Sequence, residues 1–96
     1  MTIDVNYETG RAVATINRIL PHGLRATTLD LIITNGPAQM MGPLLAKATP
    51  LASPEEHNHL MEIISNIQDW PERMTVEQQG QFWLGFYRDK PHGEES

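Results

Sequence analysis

The 96-residue chain has no cysteine, which excludes a disulfide framework and any thiolate metal site. It has no apolar run of membrane length and no signal-like stretch, so the expectation is a cytoplasmic protein that does not engage a membrane. Basic residues are scarce: seven Lys and Arg stand against twelve Asp and Glu, for a formal net charge of −5. That balance argues against a generic nucleic-acid binder, whose sequence-independent affinity comes from Lys and Arg neutralising phosphates. The deficit is uneven. Residues 1–50 carry four basic against three acidic side chains, a net +1, and residues 51–96 carry three against nine, a net −6.

No nucleophile–base pair or phosphate-cradling glycine loop is visible, so neither an enzyme, a cofactor nor a small-molecule substrate is expected. His57 and His59 are two residues apart, about 200° around a helix, which is the wrong spacing for a shared metal. The carboxylates Glu55, Glu56, Glu62, Asp69, Glu72 and Glu77 form no pair with an apolar pocket that would split their acidities for acid–base work. They read as a solvated face or as a surface that docks on a basic partner.

What is present is helical patterning. From Asp4 to Leu20 the residues Val5, Ala12, Val13, Ile16, Ile19 and Leu20 keep helical spacing, and Pro21-His22-Gly23 stops the run. Ala26 to Thr34 predicts a short second helix, although its β-branched residues also allow a strand. Asn35-Gly36-Pro37 opens a third helix reaching about Ala48, with Pro43 expected to kink it or to start a new first turn. Ser53-Pro54-Glu55-Glu56 is a cap, a first-turn proline and two acids against the dipole, and predicts a fourth helix to about Asp69 with Leu60, Met61, Ile63, Ile64 and Ile67 as its buried stripe.

Thr75 followed by Gln78 is a capping box that begins a fifth helix through Lys90. This helix gathers Phe82, Trp83, Phe86 and Tyr87. Phe82 and Trp83 are adjacent and cannot both point inward, which leaves one for an interface. Gly80 and Gly85 each cost roughly 1 kcal/mol in a helix relative to alanine, and so imply close approach by a neighbouring element. The fold expected is an all-α bundle of about five helices, one domain over residues 1–90, with a polar tail at 91–96.

Glu77-Gln-Gln-Gly80-Gln-Phe82-Trp-Leu-Gly85-Phe-Tyr87 resembles the segment that closes the large subunit of the type I-C CRISPR effector complex, Cascade. Two further stretches follow in the same order. Tyr7-Glu-Thr-Gly10-Arg11 is similar to that family's Tyr-x-x-Gly-Arg-Leu, and Ala26-Thr27-Thr28-Leu29-Asp30 with Gly36-Pro37-Ala38 to Pro43-Leu44-Leu45 is similar to its Ala-Thr-x-x-Asp and Thr-Pro-Ala-x-x-x-x-Pro-Leu-Leu stretches. The chain departs from the family where the latter continues Tyr-His-Gln, having Tyr87-Arg88-Asp89, and it lacks the expected aromatic at Ile32 or Ile33.

In that family the C-terminal region of the large subunit is also made as a separate polypeptide, the small subunit, and a chain starting at Met1 with this length has the size the resemblance implies. The implied role is non-catalytic: lining the channel of the displaced non-target DNA strand, stabilising the R-loop, and touching the backbone and large subunits of the effector and other copies of itself.

Arg11, Arg18 and Arg25 are spaced by seven, so the first two share one side of helix one and the third can extend the row past the turn. With Thr15 beside them they read either as a phosphate track or as ordinary solvated arginines. Phe82, Trp83, Tyr87, Glu55 and Glu62 are the candidate protein contacts, and Arg73, Arg88 and Lys90 read either as a second contact zone or, with Glu72, Glu77 and Asp89 beside them, as local ion pairs, which is the expectation. Two other readings are open: an acidic helical inhibitor that mimics DNA or a subunit, and an unrelated helical adaptor.

Overall fold

Helix starts follow the capping residues. Asp4 Oδ1 accepts the amides of Asn6 and Tyr7 at 2.9 and 3.3 Å. At Ser53 the hydroxyl accepts the Glu56 amide at 3.1 Å while Glu56 accepts the Ser53 amide at 2.9 Å. Thr75 and Gln78 make the same reciprocal pair at 3.2 and 2.8 Å. Each pair satisfies two of the amide donors that a helix start leaves open.

The computed structural model describes residues 3–89; Lys90 and the expected tail at 91–96 lie outside the described residues. The helices are α1 (Val5–Ile19), α2 (Ala26–Asn35), α3 (Pro37–Ala48), α4 (Pro54–Ser65) and α5 (Val76–Arg88), with one 3-10 turn at Thr49–Leu51 between α3 and α4. The chain is a small all-α bundle. Among the described residues there is no strand, and no helix is long and apolar enough to cross a membrane.

Two expectations about helix ends change. Helix α3 continues through Pro43, so no new first turn starts there: the proline and Gln39, whose carbonyl loses its bond, are both exposed, so water can satisfy the orphaned acceptor. Helix α4 stops at Ser65, four residues before Asp69. The Asn66 and Ile67 amides turn back to the carbonyls of Ile63 and Ile64 at 3.0 and 2.9 Å, and the Asn66 side chain donates to Glu8 of α1 at 3.0 Å. The chain then runs irregularly to Thr75, anchored where the Ala38 amide donates to the Pro71 carbonyl at 2.9 Å.

Helix α1 is the central element, buried almost continuously from Glu8 to Ile16. Its Ala12, Val13, Ile16 and Ile19 meet Ile32 and Ile33 of α2, Met41, Leu44 and Ala48 of α3, Leu60 and Ile63 of α4, and Phe82 of α5 in one core. Met61, expected in the stripe of α4, faces outward. Burying a side chain the size of Phe82 fully contributes about 1.5–3 kcal/mol.

The tightest packing is between α1 and α5. A Cβ built on Gly10 would run into the Phe82 carbonyl, and one built on Gly85 would run into the Tyr7 carbonyl. The two backbones therefore touch at a reciprocal pair of glycines. Gly80 differs, with nothing within 4 Å of a built Cβ, so its expected close neighbour is absent. These surroundings predict opposite signs for one substitution. In denaturant unfolding, Gly85→Ala lowers stability by about 1–3 kcal/mol through overpacking, and Gly80→Ala raises it by about 0.8–1 kcal/mol through helix propensity; equal effects at the two positions would refute the packing assignment.

Candidate nucleic-acid interface

Arg11, Thr15 and Arg18 stand at i, i+4 and i+7 on α1 and so share one face. What the three meet is Asp89, the first residue past α5. Its backbone leaves the helix in an extended conformation, its amide donating to the Gly85 carbonyl. Arg11 Nε donates to Asp89 Oδ1 at 3.0 Å and Arg18 Nη2 to Oδ2 at 2.5 Å. The Thr15 hydroxyl lies 3.1 Å from Oδ2 and 3.0 Å from the Arg11 carbonyl, so one proton serves two acceptors. From α4, His59 Nε2 sits 3.1 and 3.2 Å from the two carboxylate oxygens. A carboxylate only accepts, so Nε2 carries the proton.

The cluster continues along α1 to Glu8. Arg11 Nη1 donates to both oxygens of Glu8 at 3.2 and 3.0 Å, and Asn66 donates to Glu8 Oε1 as well. Two carboxylates thus face two guanidiniums. The Asp89 side chain has no exposed surface, while those of Arg11 and Arg18 keep 27% and 30%. Burial penalises the Asp89 charge, but hydrogen bonds from Arg18 and Arg11 and the nearby charges of His59 and Arg18 outweigh it and hold the carboxyl below its ordinary value. Burial likewise opposes the Arg11 charge, and its bonds to Asp89 and Glu8 raise its pKa nonetheless.

The residues singled out from the sequence are therefore dispersed by depth. Arg11 and Arg18 come together, both engaged by Asp89. Thr15 is buried beneath them at 1% exposure. Arg25 caps α2 in the open and joins none of the ion pairs among the described residues. Of the candidate protein contacts, Phe82 is buried in the core, because its position on α5 faces α1; it is not a surface residue. Trp83 is half-buried, and Tyr87, stacked on it with ring centroids 5.7 Å apart, is largely exposed. Glu55 and Glu62 are exposed on α4. Asp89 pairs with α1 across the bundle instead of with its neighbour Arg88.

Sequence reasoning missed Asp89, His59, Glu8 and Asn66. For two of these a signal existed: Glu8 lies four residues before Ala12 and His59 four before Ile63, so each is a polar residue in the apolar phase of its helix. An open groove of about 660 Å³ beside Thr34, Gln39, Glu72, Arg73 and Gln79 shares no residue with the cluster. Among the described residues no three His, Asp or Glu side chains are gathered as metal ligands.

The depressed pKa fixes the pH dependence. A carboxyl more acidic in the folded than in the unfolded chain adds stability above its ordinary value of 3.8, and that stability is lost as pH falls through the folded value. Asp89→Asn, which strands two half-screened guanidiniums, is expected to cost about 2–3 kcal/mol at neutral pH. In urea unfolding the gap to the unsubstituted protein narrows below about pH 4, and a gap independent of pH would refute the assignment. Compared with known proteins, the chain matches no family model, and a search of curated proteins returns no match.

Proposed function

We propose that this chain is a non-catalytic small subunit of a type I-C-like CRISPR surveillance complex, acting in the cytoplasm, where it holds the displaced non-target DNA strand and neighbouring subunits and so stabilises the R-loop. The observation that carries the reading is the meeting of two separated motifs. Tyr7 and Gly10, from the Tyr-x-x-Gly-Arg stretch, and Phe82 and Gly85, from the Gln-Gly-x-Phe-x-x-Gly-Phe-Tyr stretch, sit some seventy positions apart in sequence. They pack backbone to backbone at the α1–α5 crossing. Motif residues that share one contact are what a common fold requires, and scattered chance matches have no reason to share one.

The chemistry of the role needs little from a small protein. R-loop formation exchanges one duplex for another of similar stability, so a few phosphate contacts shift it. Exposed Arg25, with Arg18 and Arg11 on the neighbouring helix, supplies the basic side. Trp83, Tyr87 and the acidic surface of α4 with Glu55 and Glu62 supply the side that meets the backbone and large subunits and other copies of the chain.

The test adds the protein to a guide-loaded type I-C effector lacking its small subunit and reads R-loop yield on target DNA. Restored R-loops are expected, with Arg25→Ala, which leaves the Asp89 cluster untouched, lowering the yield roughly threefold to tenfold at moderate salt. No restoration in a cognate complex sinks the reading, and inhibition of an intact complex replaces it with that of an acidic mimic.

A further inference from the structure

Two guanidiniums, a hydroxyl and an imidazole N–H converge on one carboxylate in the Asp89 cluster, and that donor set is the one that recognises an oxyanion. Its construction is layered. Thr15 and His59, nearly fully buried, form the floor. Arg11 and Arg18, each keeping more than a quarter of its side chain exposed, form the rim. Glu8, itself held by a bond from Asn66, accepts from Arg11, so the Arg11 guanidinium has a support that does not depend on the occupant. The occupant itself belongs to no helix: Asp89 is the residue at which α5 ends, held to the helix by one amide bond to Gly85.

We infer that the Arg11–Thr15–Arg18–His59 socket is a phosphodiester site of the DNA-binding surface, and that Asp89 is a built-in stand-in for the phosphate that keeps the site closed until the end of α5 is engaged. That the phosphate is DNA's rests on the small-subunit reading; the socket and its occupant rest on the geometry alone. A phosphodiester carries one negative charge, as a carboxylate does, so the exchange leaves the charge of the cluster unchanged, and a phosphate offers as many acceptor directions as the donors require. Tethering gives Asp89 a high effective concentration in its own socket, which an isolated strand must overcome.

The neighbours of Asp89 supply the trigger. Tyr87, 76% exposed, and Arg88 form the last turn of α5, directly before the stand-in. A protein surface that takes hold of that turn moves Asp89 with it, so docking uncovers the socket. A chain of net charge −5 would thus stay off DNA when alone and contact it when assembled.

The test is binding of a labelled single-stranded oligothymidylate to the isolated full chain, by fluorescence anisotropy across a salt series. Asp89→Asn is expected to bind about tenfold tighter than the unsubstituted protein, with a log–log salt slope steeper by about one, and Arg18→Ala placed in the Asp89→Asn background should abolish the gain. A folded Asp89→Asn protein that binds no tighter, or whose gain survives loss of Arg18, overturns the proposal. So does inorganic phosphate that displaces the strand from Asp89→Asn at low millimolar concentration, because the socket then belongs to the free ion.

If Asp89→Asn does not fold, the unsubstituted chain decides by NMR. At low salt and with the oligonucleotide raised to millimolar excess, so that it competes with the tethered carboxylate, the Arg11 Nε–H signal, bonded to Asp89 in the closed state, is expected to shift, and a saturated titration that moves Arg25 alone overturns the proposal. Failure here leaves the R-loop assay untouched, since Arg25 lies outside the socket. Failure of the R-loop assay leaves the gain from Asp89→Asn intact.

Discussion

Two helices whose backbones touch can cross in only a narrow range of places, because a side chain on either one at the crossing would force them apart. In this protein Gly10 lies under the Phe82 carbonyl and Gly85 under that of Tyr7, and the rest of the bundle is arranged around that contact. With the α1–α5 crossing set, Phe82 is delivered into the core beside Ala12, Val13 and Ile16. The end of α5 is carried over the next two turns of α1, where Arg11, Thr15 and Arg18 wait. The position of Asp89 is therefore a consequence of the Gly85–Tyr7 contact four residues upstream and the Phe82–Gly10 contact seven residues upstream.

The polar cluster then refines what the crossing sets. Buried ion pairs recover their desolvation cost only when every donor and acceptor is matched, and apolar replacements of the same shape are often as stable. Here the two Asp89 oxygens take donors from Arg11, Arg18, Thr15 and His59, and Glu8 takes Arg11 and Asn66. The satisfaction of the network is what makes it specific: a slide of α5 along α1 by one residue would leave several of these groups unpaired. α1, α4 and the end of α5 are thus fixed together by directional bonds where hydrophobic packing alone would tolerate adjustment.

The same network changes the meaning of the arginines. On paper Arg11 and Arg18 are two members of a basic row in the less acidic half of the chain. In the folded molecule they belong to a balanced group whose counter-charge comes from Glu8 and, from the other end of the sequence, Asp89. A protein with few basic residues has thereby committed two of them to an internal acid, which leaves Arg25 as the member of the row outside the ion pairs among the described residues.

Local chemistry was enough for the helices. Asp4, Ser53 and Thr75 sit at helix starts because short polar side chains reach the open amides of the first turn, and the apolar phases of α1 and α4 are visible because helical geometry repeats every 3.6 residues. The ends of α3 and α4 were less legible. Whether Pro43 breaks a helix depends on whether its orphaned carbonyl meets water, and whether α4 continues past Ser65 depends on Asn66 finding Glu8.

The sequence by itself determined the helical class, the capping sites, most of the core and the candidate arginines, since these follow from interactions within a few residues. Only the tertiary structure decided that Phe82 turns inward while Tyr87 stays out, that Gly85 is needed for contact and Gly80 is not, and that Arg11 and Arg18 face Asp89. Those outcomes join groups more than seventy positions apart, and no local pattern specifies which distant backbone a helix face will touch.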